Sequence, residues 1–319
     1  MLTHDEISDL IASAIKEISL PQNPAGLYRP IDYTLETGGK RLRPLLVIAV
    51  CSALGGDVAK AIDPALGIEI FHNFTLLHDD VMDKADIRRG HPTVHVKWDD
   101  NTAILSGDAM LTLAYEYIAK SSGEFLREAF NLFNRTAMEV YEGQQYDMDF
   151  EKRKDITVAQ YLDMIRLKTS VLLGCACRMG AIVAGADEAK ADAFYQYGVN
   201  LGMAFQLKDD WLDTYGDPTI FGKGIGGDIV NEKKTWLLVT ALSEAREELL
   251  DILAEDLEDK ERIRQVTAVY DSLKLSERSI KLINEYSDKA VAAIADAGLD
   301  LEGRNFFTEL ALKSACRDH

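Results

Sequence analysis

Proline is nearly absent from most of this chain. Of seven prolines six precede residue 100, and beyond Pro92 only Pro218 interrupts the remaining sequence to residue 319. Such a stretch can hold long helices, because proline removes a backbone donor and its ring collides with the preceding turn. The apolar residues agree. They recur at spacings of three and four in "AILSGDAMLTLAYEYIA", "YLDMIRLKTSVLLGCACRMGAIVAG" and "GVNLGMAFQLKDDWLD", and no run alternates as a strand would. The expected fold class is all-α, with residues 1–319 as a single domain. Pro44 and Pro64 are expected to open helices, Pro64 behind Asp63 as a cap. Helical periodicity fails in "YGDPTIFGKGIGGDIVNEKKT", where glycines 216, 222, 224, 226 and 227 surround Pro218; a functional loop such as an active-site flap is expected there. A second irregular segment, "TGGKRLRP", carries Gly38 and Gly39.

Charge narrows the partners. With 53 acidic against 35 basic residues the formal net charge is -18, which excludes a nucleic-acid binder built on a basic stripe. Any anionic ligand must therefore meet positive charge gathered locally. Cys51, Cys175, Cys177 and Cys316 form no paired framework, and the expectation is of plain core thiols in a reduced, cytoplasmic compartment. The opening "MLTHDEISDLIASAIKEISL" is expected to be an acidic amphipathic helix and no signal peptide, and no stretch is long and apolar enough to span a bilayer.

The chemistry is concentrated in "HDDVMDKADIRRGHP", residues 78–92, where Asp79, Asp80 and Asp83 precede the adjacent Arg88 and Arg89. Residues four apart on a helix differ by roughly 40° about the axis, so Asp79 and Asp83 share a face while Asp80 lies about 100° aside. Two carboxylates one turn apart in an apolar setting call for a neutralising cation. The same DDxxD spacing returns in "QLKDDWLD" as Asp209, Asp210 and Asp213. One such triad alone would be a solvated helix end; two in matching helical contexts suggest facing helices that hold metal ions. Magnesium suits them, since it takes oxygen ligands and is commonly held by a few carboxylates plus substrate phosphates, whereas zinc would need a cysteine and histidine cluster that does not accompany the acids. Cations for a diphosphate are available in Lys40 and Arg43, Arg88 and Arg89, Lys168, Lys223 and Lys233. Each taken singly would be a surface charge, but several lie in the glycine-rich segments or beside the acidic triads.

These residues resemble the trans-isoprenyl diphosphate synthases, or polyprenyl synthetases, over nearly the whole chain. The ordered motifs are "GGKRLRP" at 38–44, His72 ahead of "LLHDDVMD", "RRG" at 88–90, "GQ" at 143–144, "KT" at 168–169, "FQLKDDWLD" at 205–213, and "GDPTIFGKGIGGD" followed by "KKT" to Thr235. The resemblance implies a bundle of roughly antiparallel helices around a deep central cavity, usually a homodimer. It implies that Asp79, Asp83 and Asp209 bind Mg²⁺ bridging to the allylic diphosphate, with Asp80, Asp210 and Asp213 in support. Arg88, Lys168, Lys223 and Lys233 would hold that diphosphate. Lys40, Arg43, His72 and Arg89 would hold isopentenyl diphosphate, and Thr169 and Gln206 would face the reacting allylic carbon. His72 on its own would be a satisfied core histidine; seven residues before Asp79, it lies two turns away on the same face.

In this family the residues four and five before the first aspartate matter most for product length; here they are Thr75 and Phe74. An aromatic at the fifth position resembles short- and medium-chain enzymes, and the DDxxxxD insertion common in bacterial farnesyl and geranylgeranyl enzymes is missing. On an ideal helix Phe74 sits roughly 140° around from Asp79, with Phe71 and His78 on the same side, so it would flank a cavity more than block it. Phe71 and Phe74 are equally readable as ordinary core aromatics. The expected product is C20 geranylgeranyl diphosphate, with C15 farnesyl diphosphate as the alternative. A terpene cyclase would carry an Asn, Ser and Glu pattern in its second metal motif, which "DDWLD" does not fit. A non-catalytic partner subunit tends to lose an acidic triad, and both are present.

Overall fold

The computed structural model describes residues 1–121, 123, 125–217 and 225–316. Almost all regular structure among them is helical, as the proline distribution requires. Along the chain come α1 (His4–Lys16), α2 (Ala25–Glu36), α3 (Leu42–Ala53), α4 (Val58–Met82), a minimal hairpin of β1 (Ile87–Arg88) and β2 (His91–Pro92), and the single turn α5 (Val94–Lys97). The proline-poor stretch then gives α6 (Asp100–Ala119), α7 (Leu126–Glu151), α8 (Val158–Ile165), α9 (Val171–Val183) and α10 (Glu188–Tyr215), with a π-helical turn, Arg166–Ser170, between α8 and α9. The last long helices are Trp236–Glu244, Asp259–Ser272, Leu275–Ala293 and Leu301–Cys316. Contacts gather these into two compact units, Met1–Asn134 with Cys175–Asp192, and Arg135–Gly174 with Ala193–His319.

In the first unit α4 is the central helix. Its buried residues run all round, from Ala61 through Ile68, Phe71 and Phe74 to Leu77, so it shows little amphipathic bias, as expected of a helix packed on every side. It packs on α3 and α6. Gly67 allows a close approach to α6, since a methyl there would meet Ile118 at 2.9 Å. The sequence expectation for Pro64 is corrected: α4 begins six residues earlier, at Val58, where the Asp57 carboxylate accepts the Ala59 N–H at 3.1 Å. Pro64 lies within the helix, and its burial among apolar neighbours offsets the one backbone bond it forgoes. Pro44, by contrast, falls in the first turn of α3. Cys51, Cys175 and Cys177 are buried in the core.

The second unit surrounds a core of Phe150, Tyr161, Met164, Leu207, Trp236, Leu238, Val266 and Tyr270. Thr157 opens α8 with a reciprocal cap, its side chain accepting from Gln160 N–H while the Gln160 side chain accepts from Thr157 N–H. That cap sets the register in which α8 presents Tyr161 to the core. Among the described residues no helix is long and apolar enough to cross a membrane.

Candidate active site

In the first unit the acidic triad closes α4. Asp83 is the C-cap and its N–H reaches the Asp79 carbonyl at 2.8 Å, so the two carboxylates stand one turn apart on the final turn, Asp79 half-buried and Asp83 exposed. Asp80 is different. It is buried, and its Oδ1 lies 2.7 Å from both Nε and Nη2 of Arg88. Burial disfavours its charged form and pushes the carboxyl above the usual range, and the Arg88 charge opposes that rise.

The hairpin explains "RRG". Ile87 pairs with Pro92 and Arg88 with His91, leaving Arg89 and Gly90 as the two turn residues with φ of 51° and 79°. Positive φ at both positions is the primed turn that suits the twist of a two-residue hairpin. The turn sends Arg89 back to "GGKRLRP", where its guanidinium donates to the Gly38 carbonyl. It lies flat against Gly39, whose φ is 138° and where a methyl would come within 2.6 Å of Arg89 Cζ. Two motifs 50 residues apart in sequence thus form one basic cluster. Lys40 follows in the same segment, and Arg43 sits in the first turn of α3 with a buried Nε. His72 is half-buried. Its ionisation is pushed well down, first by desolvation and then by the charges of Arg43, Arg89 and Arg88, so at neutral pH it offers an uncharged ring.

The residues expected to bear on product length separate onto two faces of α4. Thr75 shares the face of Asp79, its hydroxyl donating to the His72 carbonyl at 2.8 Å. Phe71 and Phe74 turn aside, as the helix angle requires: their centroids are 5.5 Å apart, Phe74 lies 4.8 Å from the His78 ring and Phe71 5.2 Å from Phe133. The His78 Nε2 is 3.1 Å from the Ile104 carbonyl of α6.

In the second unit α10 carries the other triad. Asp209 is half-buried on α10. Asp210 is buried, held by the Tyr161 hydroxyl on one oxygen and by Gln206 Nε2 at 3.0 Å on the other. Burial pushes its carboxyl up to about 7, with the Lys233 charge as the main opposing influence. Gln206 in turn accepts the Thr169 hydroxyl at 3.2 Å, so Thr169, Gln206, Asp210 and Tyr161 form a connected chain of hydrogen bonds. Asp213 receives the Asp228 N–H at 2.8 Å, while its carbonyl takes the Gly226 N–H at 2.6 Å. The C-terminal part of the expected loop is therefore pinned to the end of α10. Lys233 lies 3.5 Å from Asp228. Desolvation opposes its charge, but Asp228, Asp210 and Asp147 outweigh it and raise its ionisation, leaving it a cation at neutral pH. Lys223 lies outside the described residues.

Lys168 and Thr169 sit in the π-helical turn, where the periodic sequence gave continuous α-helix. The extra residue per turn bulges the backbone toward α7, and Gly143 admits it: a methyl there would lie 2.7 Å from Lys168 Cα. Such bulges are common at functional sites. The Lys168 ammonium meets Asp147 of α7 at 2.6 Å. Sequence reasoning missed Asp147, Tyr161 and Asp228. Asp147 could have been found, since it falls one turn after Gly143 on the same helix.

The donors fit magnesium. Each triad commits its middle aspartate to protein partners, and carboxylate oxygens are the hard donors that magnesium takes. Among the described residues no three acidic, histidine or cysteine side chains gather closely enough to hold a metal ion by themselves.

Comparison with known proteins agrees with this chemistry. The family model described as polyprenyl synthetase matches residues 24–272. A geranylgeranyl pyrophosphate synthase of Geoglobus acetivorans is 37% identical over 316 residues, 97% of each chain. A geranylfarnesyl diphosphate synthase of Aeropyrum pernix is 40% identical over 248 residues, 75% of this chain and 78% of that one. A crystal structure of a geranylgeranyl pyrophosphate synthase superposes with a TM-score of 0.95 at 42% identity, covering 99% of both chains.

Proposed function

The chain belongs to the polyprenyl synthetase family, and from that premise we propose that it is a magnesium-dependent trans-prenyltransferase making C20 geranylgeranyl diphosphate. It would condense isopentenyl diphosphate with dimethylallyl, geranyl or farnesyl diphosphate. The observation that carries this reading is the matched pair of sites: an acidic helix end beside Arg43, Arg88 and Arg89 in one unit, and a second beside Lys168 and Lys233 in the other.

Magnesium, when bound by Asp79, Asp83 and Asp209, would neutralise charge that builds on the departing diphosphate. The protein residues do the rest. Arg88, Lys168 and Lys233 present fixed positive charge to the allylic diphosphate, each held by a carboxylate that keeps it aimed. Lys223 would join them from the glycine-rich segment. Thr169 and Gln206, oriented by their mutual hydrogen bond, face the allylic carbon as its bond to oxygen breaks. Lys40, Arg43, His72 and Arg89 hold isopentenyl diphosphate, whose double bond supplies the electron pair for the new carbon–carbon bond. A proton then leaves, to the released diphosphate, and the chain is longer by one five-carbon unit. Water has to be excluded, or it would capture the cationic fragment as an alcohol.

Incubation of the purified protein with isopentenyl diphosphate, magnesium and each allylic starter is expected to give C20 as the main product by mass spectrometry. The Aeropyrum pernix relative favours a second reading, a C25 product, and a C15 main product would make this a farnesyl diphosphate synthase. A cyclic hydrocarbon formed without consumption of isopentenyl diphosphate would overturn the function.

We also propose a cytoplasmic homodimer. Leu105 and Ile104 of α6 are 60% and 45% exposed and Phe130 of α7 40%, large apolar side chains that a second copy would cover. Light scattering is expected to return twice the 35.5 kDa chain mass; a monomer at micromolar concentration would sink the assignment.

A further inference from the structure

Glu69 has no part in the chemistry above, yet it is one of the most deeply placed charges in the first unit, 2% exposed on the central helix α4. Ten residues before Asp79, it lies on the side of α4 that also carries Asn73 and Asp80, since the three fall within roughly 40° of one another about the axis. The Asn73 amide clamps it, donating to Glu69 Oε1 at 3.0 Å and to the Glu69 carbonyl at 2.8 Å. Its other oxygen, Oε2, is buried and takes no hydrogen bond, and so is the Nε of Arg43. Burial pushes this carboxyl up, and the charges of Arg43, Arg89 and Arg41, with the Asn73 hydrogen bond, act against that rise and favour its charged form.

We propose that Glu69 is a positioning residue: the buried counter-ion beneath Arg43 and Arg89, holding both guanidinium groups where they meet the diphosphate of isopentenyl diphosphate. The inference rests on the reading given under Proposed function and adds to it the group that organises one of its two substrate sites. A buried carboxylate is costly unless paired, and breaking such a pair costs more than the pair contributes. Here one carboxylate acts through its charge, with no hydrogen bond to its free oxygen, on several guanidinium groups, so net positive charge is left for a phosphate. Burial pushes Arg43 down to about 10, with the Glu69 charge opposing the fall, so Arg43 remains a cation at neutral pH. Arg89 is fixed from the other side by the Gly38 carbonyl and the bare face of Gly39. Glu69 supplies the restraint from within.

The sign of the effect separates this role from simple charge balance. Removing an anion makes the site more positive, which alone would tighten binding of a diphosphate. Losing the anchor lets the guanidinium groups drift, which loosens it, and misplacement by about 1 Å can cost on the order of a hundredfold. Glu69→Gln keeps the shape and removes the charge. Steady-state kinetics are expected to show KM for isopentenyl diphosphate raised about tenfold or more, KM for the allylic diphosphate within about twofold, and kcat nearly kept. Glu69→Asp is expected to recover part of the loss. An unchanged or lowered KM for isopentenyl diphosphate, or an equal rise in both KM values, would overturn the proposal. If Glu69→Gln does not fold, Asn73→Ala, which leaves the charge and frees one oxygen, is expected to give a smaller rise with the same selectivity, and its failure to do so overturns the proposal equally. Absence of condensation by the parent protein would instead remove the functional reading itself.

Discussion

Asp79→Ala and Asp209→Ala, each folded as judged by circular dichroism, are expected to condense isopentenyl and allylic diphosphates at least about a thousandfold more slowly than the parent, a loss on the order of 4 kcal/mol of transition-state stabilisation. The size follows from the commitments of the neighbouring carboxylates. Beside Asp79, Asp80 is occupied by two nitrogens of Arg88 at 2.7 Å. Beside Asp209, Asp210 is held by Tyr161 and Gln206. Neither neighbour can turn to the cation without abandoning a hydrogen-bonded partner. The loss should not be restored by raising magnesium to tens of millimolar, because the missing oxygen and not the supply of metal limits the rate. Folded variants working within about tenfold of the parent would show that the acidic triads do not carry the chemistry.

The acidic triads were legible because their meaning depends only on helix spacing, which α4 and α10 obey. What surrounds them was not. The hairpin is two residues per strand, too short for any alternation, and its turn needs positive φ at Arg89, a residue that rarely adopts it. The π-helical turn differs from an α-turn by one residue, so the apolar pattern through Lys168 and Thr169 looks the same either way; only Gly143, 25 positions away, marks the close approach. Pro64 misled because local rules place proline at a helix start, while the Asp57 cap and the burial of α4 on all sides decided otherwise. Glu69 and Asn73 escaped notice for the reverse reason. Four apart on one helix face, they are a polar pair in a mostly apolar run, and a search for apolar periodicity passes over residues that break it.

Product length is the property that a single side chain should change most visibly. Thr75 lies on the face of α4 that carries Asp79, one turn earlier, so a phenyl ring at that position would stand directly in the path of a chain growing from the acidic end. Thr75→Phe is expected to move the main product from C20 to C15. Phe74 acts from the side. It is 6% exposed, and with Phe71, Phe133 and His78 it makes a wall of packed rings. Deleting a buried ring ordinarily costs about 3 to 5 kcal/mol, much of it for the cavity left behind. An apolar cavity also accepts apolar guests, so a growing prenyl tail can occupy the space and recover part of that loss. Phe74→Ala is therefore expected to lower the melting temperature of the ligand-free protein and to lengthen the product to C25. The two variants divide the outcomes. Shortening by Thr75→Phe without lengthening by Phe74→Ala would place the limit on the Asp79 face alone, and an unaltered C20 distribution from both folded variants would remove α4 as the ruler.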